Sequence, residues 1–237
     1  MIPIWALPCK ISQVKNVIKI SVIIPTLNAA ESLLRTIKSV KFAADEVIVV
    51  DGGSTDESVQ IAQEAGAKVI KTGRGRGLQL SVGAREATND HLLFLHADTH
   101  LGPNWLEMAI NLFLKGQNAG VFKFALEDQS FFARSVEVFV SLRCRSLGWA
   151  WGDQGLLINR KLYLAVGGFN PTMPLFEDVD IIRRIGKPRL EILDEKAITS
   201  ATRYLRGGYL WRSLKNLCCL ISYFLGVSPA KILRFYN

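Results

Sequence analysis

Cysteine is scarce in this chain. Four occur in 237 residues, Cys9, Cys144, Cys218 and Cys219, and none belongs to a Cys-x-x-Cys pair. Adjacent cysteines such as 218 and 219 rarely bond to each other, so a disulfide-stapled scaffold is excluded and a reducing cytoplasm is the expected compartment. Histidine is scarcer still, at three. His96 and His100 stand four apart at an expected strand exit, not on a helix, so they do not read as a zinc pair. Long apolar runs are missing too. The uncharged stretch Leu217 to Val227 falls well short of the roughly 20 residues that span a bilayer. Met1 to Pro8 is apolar but short and has no basic start, which makes it a poor secretory signal. There is no internal repeat or low-complexity tract, so solenoids and fibres are set aside.

Negative charge is also in deficit. Twenty-one acidic residues face 29 basic ones, a net charge of +8. That balance suits an anionic partner, whether a nucleotide diphosphate, an acidic lipid surface or nucleic acid, and does not choose among them. With 49% hydrophobic residues, the chain can bury one substantial core.

The order of elements is more informative. Lys19 to Pro25 predicts a buried strand, and Leu33, Leu34, Ile37 and Val40 carry helical spacing over 29–40. Glu46 to Val50 predicts a second strand, followed by an Asp-Gly-Gly-Ser-Thr-Asp turn and a helix over 57–65. A third strand over 67–71, the Gly-rich stretch 73–77, a helix over 78–87 and a strand over 91–95 repeat the unit. Such alternation predicts an α/β fold with a mostly parallel sheet flanked by helices, and ligands bound at the carboxyl ends of the strands. After Asp98 a helix near Pro103, a strand over 120–126, a long helix over 131–147, strands over 156–159 and 190–193 and a helix from Glu177 complete the expectation. The chain is expected to divide into an arm (1–17), one α/β domain (18–206) and a helical extension (207–237).

Four constellations follow expected strands and a fifth opens a helix. Pro25-Thr26-Leu27-Asn28 offers a fixed turn and hydrogen bonds to a base or ribose, although Asn28 could equally cap the next helix. Asp51 can accept from a ribose hydroxyl or a base N–H, whereas Asp56 suits a helix cap. Gly73-Arg74-Gly75-Arg76-Gly77 sets guanidinium groups in a flexible loop suited to a diphosphate; a solvated basic turn is the plainer reading. His96 and Asp98 are two apart on an extended segment and so face the same way. Glu177-Asp178 opens a helix, where acids often only complement the macrodipole but where a desolvated carboxylate could also act as a general base.

Taken in order from about Ile20 to Ile185, these segments resemble family 2 glycosyltransferases with a GT-A fold. The His-Ala-Asp-Thr and Gly-Asp-Gln-Gly segments, here 96–99 and 152–155, are similar to those of a small bacterial group. Some members of that group are assigned on gene neighbourhood to arsenosugar biosynthesis. The resemblance implies an inverting transfer from a nucleotide-diphosphate sugar. It places Pro25, Thr26, Asn28, Asp51 and His96 on the nucleotide, Arg74 and Arg76 near the diphosphate, and Asp98 on Mg²⁺ or Mn²⁺. Glu177 and Asp178 become the catalytic pair, with Asp178 as base. His96 stands where the family usually has Asp.

Asp153 and Gln154, in a Gly-flanked loop, are expected to recognise the acceptor, a small molecule or a lipid-linked one. The family's Gln-x-x-Arg-Trp segment is missing, and Arg203, Tyr204, Arg206 and Trp211 are a substitute closing element. Apolar spacing in the tail, from Trp211 to Phe224, fits packing on the domain or contact with the inner membrane face. A sugar-phosphate nucleotidyltransferase would place a Gly-rich loop directly after the first strand, where Pro25 to Asn28 stands. A basic nucleic-acid-binding module would show a recognised motif, and no nucleic-acid partner is expected.

Overall fold

The computed structural model describes residues 18–236 apart from residue 149, so the expected arm over 1–17 lies outside the described residues. The first half follows the sequence pattern closely. Strands β1 (Ile20–Thr26), β2 (Glu46–Asp51) and β3 (Lys68–Lys71) alternate with helices α1 (Ala30–Lys41), α2 (Ser58–Glu64) and α3 (Arg76–Glu86), and β4 (His91–Phe94) follows. β1 pairs in parallel with both β2 and β4, and every residue of β1 is buried. Its alternate side chains enter different cores. Ile20, Val22 and Ile24 join the layer under α1, whereas Ile23 joins the opposite layer with Ile48, Val50 and Leu80. Each such fully buried aliphatic side chain contributes roughly 1.5–3 kcal/mol, so the strand that carries the site is also the best anchored.

Next come β5 (Thr99–Leu101), α4 (Trp105–Leu114), β6 (Ala119–Leu126), α5 (Phe131–Leu147), β7 (Leu156–Asn159), α6 (Arg160–Ala165), α7 (Glu177–Ile185) and β8 (Leu190–Thr199). Eight strands form one sheet in the order β3-β2-β1-β4-β7-β6-β8-β5, with β5 and β7 antiparallel to their neighbours. This is the GT-A architecture expected of the sequence. Two departures have local causes. β8 runs to Thr199, well past the expected 193, because its pairing with β6 jumps from Phe122↔Leu193 to Lys123↔Lys196; Asp194 and Glu195 bulge out and erase the alternation. α3 starts at Arg76, inside the expected loop. Gly77 is there for closeness, since a Cβ would lie 2.4 Å from the Asn170 carbonyl oxygen. The chain ends in α8 (Thr202–Gly207), α9 (Tyr209–Phe224) and α10 (Pro229–Tyr236), with Cys219 and Leu220 buried.

Candidate active site

The constellations gather at one edge of the sheet but separate into two groups. The first is a scaffold. Thr26 and Asp51 are register partners at the ends of β1 and β2. The Asp51 carboxylate accepts from the N–H groups of Gly53 (3.0 Å) and Ser54 (3.1 Å) and so shapes its own turn. Asn28, with a left-handed φ of 49° that Asn tolerates better than most residues, accepts through Oδ1 from the Thr55 N–H at 2.8 Å. Asp56, as expected of a cap, accepts from the N–H groups of Ser58 and Ala30. Thr26 Oγ1 turns back to the Ile24 carbonyl, and Pro25 is buried. A residue the sequence reading missed ties these ends together: buried Gln79 on α3 donates through Nε2 to the carbonyls of Thr26 and Val50, 2.8 Å each. A polar residue on a helix face otherwise built for burial was the available signal.

The second group lines a cleft of about 130 Å³ that brings together His96, Asp98, Asp153, Asp178, Arg76 and Arg203. Gly152 is wedged between two of them. A Cβ there would sit 2.5 Å from His96 Nε2 and 3.0 Å from Asp178 Oδ2, so only glycine lets the 152–155 loop close on the imidazole and the carboxylate. The Gly152 N–H donates to Asp178 Oδ2 at 2.6 Å, and the Val179 N–H donates to Oδ1 at 2.8 Å. A carboxylate has about four lone-pair sites, so Asp178 keeps accepting capacity toward the cleft. Directly before this pair, Phe176 holds a left-handed φ of 64°, an unfavourable state for an aromatic residue, and its ring lies 5.0 Å from that of Tyr223 on α9.

Electrostatics sort the titratable groups. Loss of hydration, reinforced by Arg76, pulls the His96 pKa down to about 4, so the imidazole is neutral at pH 7. Loss of hydration pushes the Asp153 pKa up to about 6 against the pull of Arg143, with Asp178 and Asp98 adding to the rise. Glu177 is fully buried, its pKa raised by burial, and it accepts from Arg76 Nε in an ion pair. Glu177 therefore fixes Arg76 and does not line the cleft, which departs from its expected place in the catalytic pair. Arg74 is exposed outside the cleft, unlike Arg76. Gln154 is turned inward. It accepts from the Trp151 N–H and from Cys144 Sγ and donates to the Phe122 carbonyl, which makes it a strut of the loop and not a cleft wall. Asp153 does face the cleft. Of the expected closing element, Arg203 and Tyr204 line it, whereas Arg206 and Trp211 do not. Trp151, Phe176, Arg212 and Asn216 line it without having been anticipated.

Among the described residues Asp98 pairs with Arg203, whose Nη2 lies 3.8 Å away, beyond hydrogen-bond range. No group of three or more ligating side chains exists among the described residues. One carboxylate beside one neutral imidazole nonetheless fits a divalent cation whose other positions come from phosphate oxygens and water, as is usual for Mg²⁺.

A mostly parallel sheet with acids, arginines and a neutral imidazole gathered in a cleft beyond its strand ends is an enzyme architecture of the GT-A class. The chain matches the family described as Glycosyl transferase family 2 over residues 21–173 and belongs to it. The matched domain is thus a glycosyltransferase family domain and not a nucleotidyltransferase one. An uncharacterized glycosyltransferase of Rickettsia felis is 48% identical over 84 residues, covering 35% of this chain and 30% of that protein. An undecaprenyl-phosphate 4-deoxy-4-formamido-L-arabinose transferase of Proteus mirabilis is 26% identical over 162 residues, 62% of this chain and 50% of the other. The match thus spans from under a third to half of the length of these curated relatives. Among solved structures, glucosyl-3-phosphoglycerate synthase from Mycobacterium tuberculosis with Mn²⁺, UDP and glucosyl-3-phosphoglycerate superposes with a TM-score of 0.58 at 18% identity, covering 84% of this chain and 76% of the other.

Proposed function

We propose that this protein moves a sugar from a nucleotide-diphosphate sugar to an acceptor hydroxyl with inversion at the anomeric carbon, using Asp178 as base, Asp98 to hold Mg²⁺ or Mn²⁺ and His96 on the nucleotide. The observation that carries the reading is the Gly152 wedge, which packs one backbone N–H and no side chain between His96 and Asp178. The M. tuberculosis synthase, with the same fold, binds UDP with Mn²⁺ or Mg²⁺, which supports a metal-assisted donor site.

Each side chain then has a task. Asp178 accepts the acceptor's proton at a free carboxylate lone pair, which directs attack from the face opposite the leaving group. A divalent ion at Asp98 would supply positive charge against the leaving diphosphate. Arg76, held by Glu177, adds fixed charge on the same side, and Arg203 stands ready at the cleft edge. Pro25, Thr26, Asn28 and Asp51 shape the nucleotide shelf, and Asp153 faces the acceptor. Because about 130 Å³ is below the roughly 300 Å³ at which ligand pockets usually begin, the cleft holds the sugar-diphosphate end and the nucleoside lies on the open strand ends. A thermal-shift panel of nucleotide sugars tests this, since a ligand bound only to the folded state raises the melting temperature. A shift with one donor that grows with Mn²⁺ is expected; no response to any nucleotide sugar would contradict it.

A further inference from the structure

Next to the cleft lies a second cavity of a different kind. It holds about 340 Å³ between α5 and α9, walled chiefly by apolar side chains such as Phe139, Leu142 and Leu217. Trp151, Tyr204 and Asn216 line both cavities, so the two share a wall. At that shared wall Trp151 Nε1 and Asn216 Oδ1 are buried and meet no hydrogen-bond partner among the described residues. Buried polar atoms are normally satisfied, and a donor and an acceptor left open at one junction suit the polar end of a ligand.

Outside the groove the two helices present an apolar face. On α9, Leu210, Leu214, Leu217 and Ile221 fall on one stripe at helical spacing, and Leu210 is 83% exposed. On α5, Phe131, Val138 and Leu142 do the same. Such a face marks an interaction surface. Its charge identifies the partner. Besides Arg203 and Arg212, which line the cleft, the sequence from residue 201 onward carries Arg206, Lys215, Lys231 and Arg234 and no acidic residue. Two copies of such a surface would repel each other, whereas an anionic bilayer attracts it. No helix among the described residues is long and apolar enough to cross a membrane, so the contact would lie on the surface.

We propose that the α5–α9 face docks on an anionic lipid bilayer and that the groove takes the hydrocarbon chain of a membrane-held acceptor, whose polar end rests at Trp151 and Asn216. This rests on the transferase reading of the adjoining cleft and adds the class of its acceptor. The test is co-sedimentation of the whole chain with phosphatidylglycerol vesicles and with phosphatidylcholine vesicles, at low and high salt. Binding to the anionic vesicles that only partly reverses in high salt is expected. The double variant Leu210→Asp/Leu214→Asp should lower the bound fraction at least tenfold, and Leu217→Asp, at the groove, should lower it several-fold. The melting-temperature response to nucleotide sugars should persist in all of these variants. Absence of vesicle binding while that response is intact overturns this proposal and leaves the donor site standing; absence of the nucleotide response counts against the donor site instead. Binding abolished by salt and indifferent to the aspartates would make the contact purely electrostatic and overturn the groove. Self-association of the wild type that the aspartates disrupt would make the occupant a second copy and also overturn it.

Discussion

The two halves of the molecule treat buried polar groups in opposite ways. Around β1 and β2, Ser21, Thr26, Thr36, Asp51, Ser58 and Gln79 are buried, and each has a hydrogen-bond partner within the protein. Around the 150–155 loop, α7 and α9, five buried side-chain atoms have none among the described residues, on Arg143, Trp151, Asp153, Glu177 and Asn216, although Arg143 and Glu177 keep other interactions. Fully satisfied networks rigidify, and open ones cost stability unless something binds. The first half is thus a finished shelf, and the second is arranged around groups that are not part of it.

The largest expected effect strikes the open half. Asp178→Asn should lower turnover by about 10²–10⁴-fold, the usual worth of general-base catalysis, with donor affinity nearly unchanged. Turnover near that of the wild type would remove Asp178 from the chemistry. Next is Asp153→Asn. The folded state raises the Asp153 pKa from 3.8 to about 6, so it binds that proton more tightly than the unfolded chain does. Stability is therefore gained as pH falls through 6 toward 3.8, and above pH 6 the buried charge costs up to about 3 kcal/mol. Urea melts of Asp153→Asn should show stabilisation at pH 8 that fades by pH 4; equal gain at both values would show that the charge is not the cause.

The closed half should respond in the opposite sense. Gln79→Leu removes both bonds that tie β1 to β2 and should cost about 2 kcal/mol in denaturant unfolding. A stability gain there would break the contrast between the halves. The smallest effect is expected at Arg74, exposed and outside the cleft. Arg74→Ala should weaken donor binding by no more than about 1 kcal/mol, the scale of an exposed ionic contact, whereas Arg76→Ala should weaken it far more. Equal losses in calorimetric titrations would show that the loop moves onto the diphosphate.

The same contrast explains what could be read from the sequence. The parallel half was legible because Val22 to Pro25, Val47 to Val50 and Leu92 to Leu95 are continuous apolar runs broken by turn residues, a local signal. The α/β class, the order of elements and the placing of His96 and Asp98 at a strand end followed from it. The role of Gly152 was not legible, since its reason is a closeness to His96 and Asp178 created only by folding. Glu177 and Gln154 have cleft-like chemistry and sit beside cleft residues. One turn of a helix or loop points them inward instead, to Arg76 and to the Phe122 carbonyl. Asn216 and Arg212 lie too far along the chain for any spacing argument to bring them to the cleft.

The central claim is that Asp98 serves the donor's metal while Asp178 serves the acceptor's proton. Calorimetric titration of the best-stabilising nucleoside diphosphate with Mn²⁺ into wild type, Asp98→Ala and Asp178→Asn separates the two roles directly. The account predicts that Asp98→Ala loses the Mn²⁺-dependent part of the affinity while Asp178→Asn binds like the wild type. Equal affinity in all three, or a loss confined to Asp178→Asn, would contradict it.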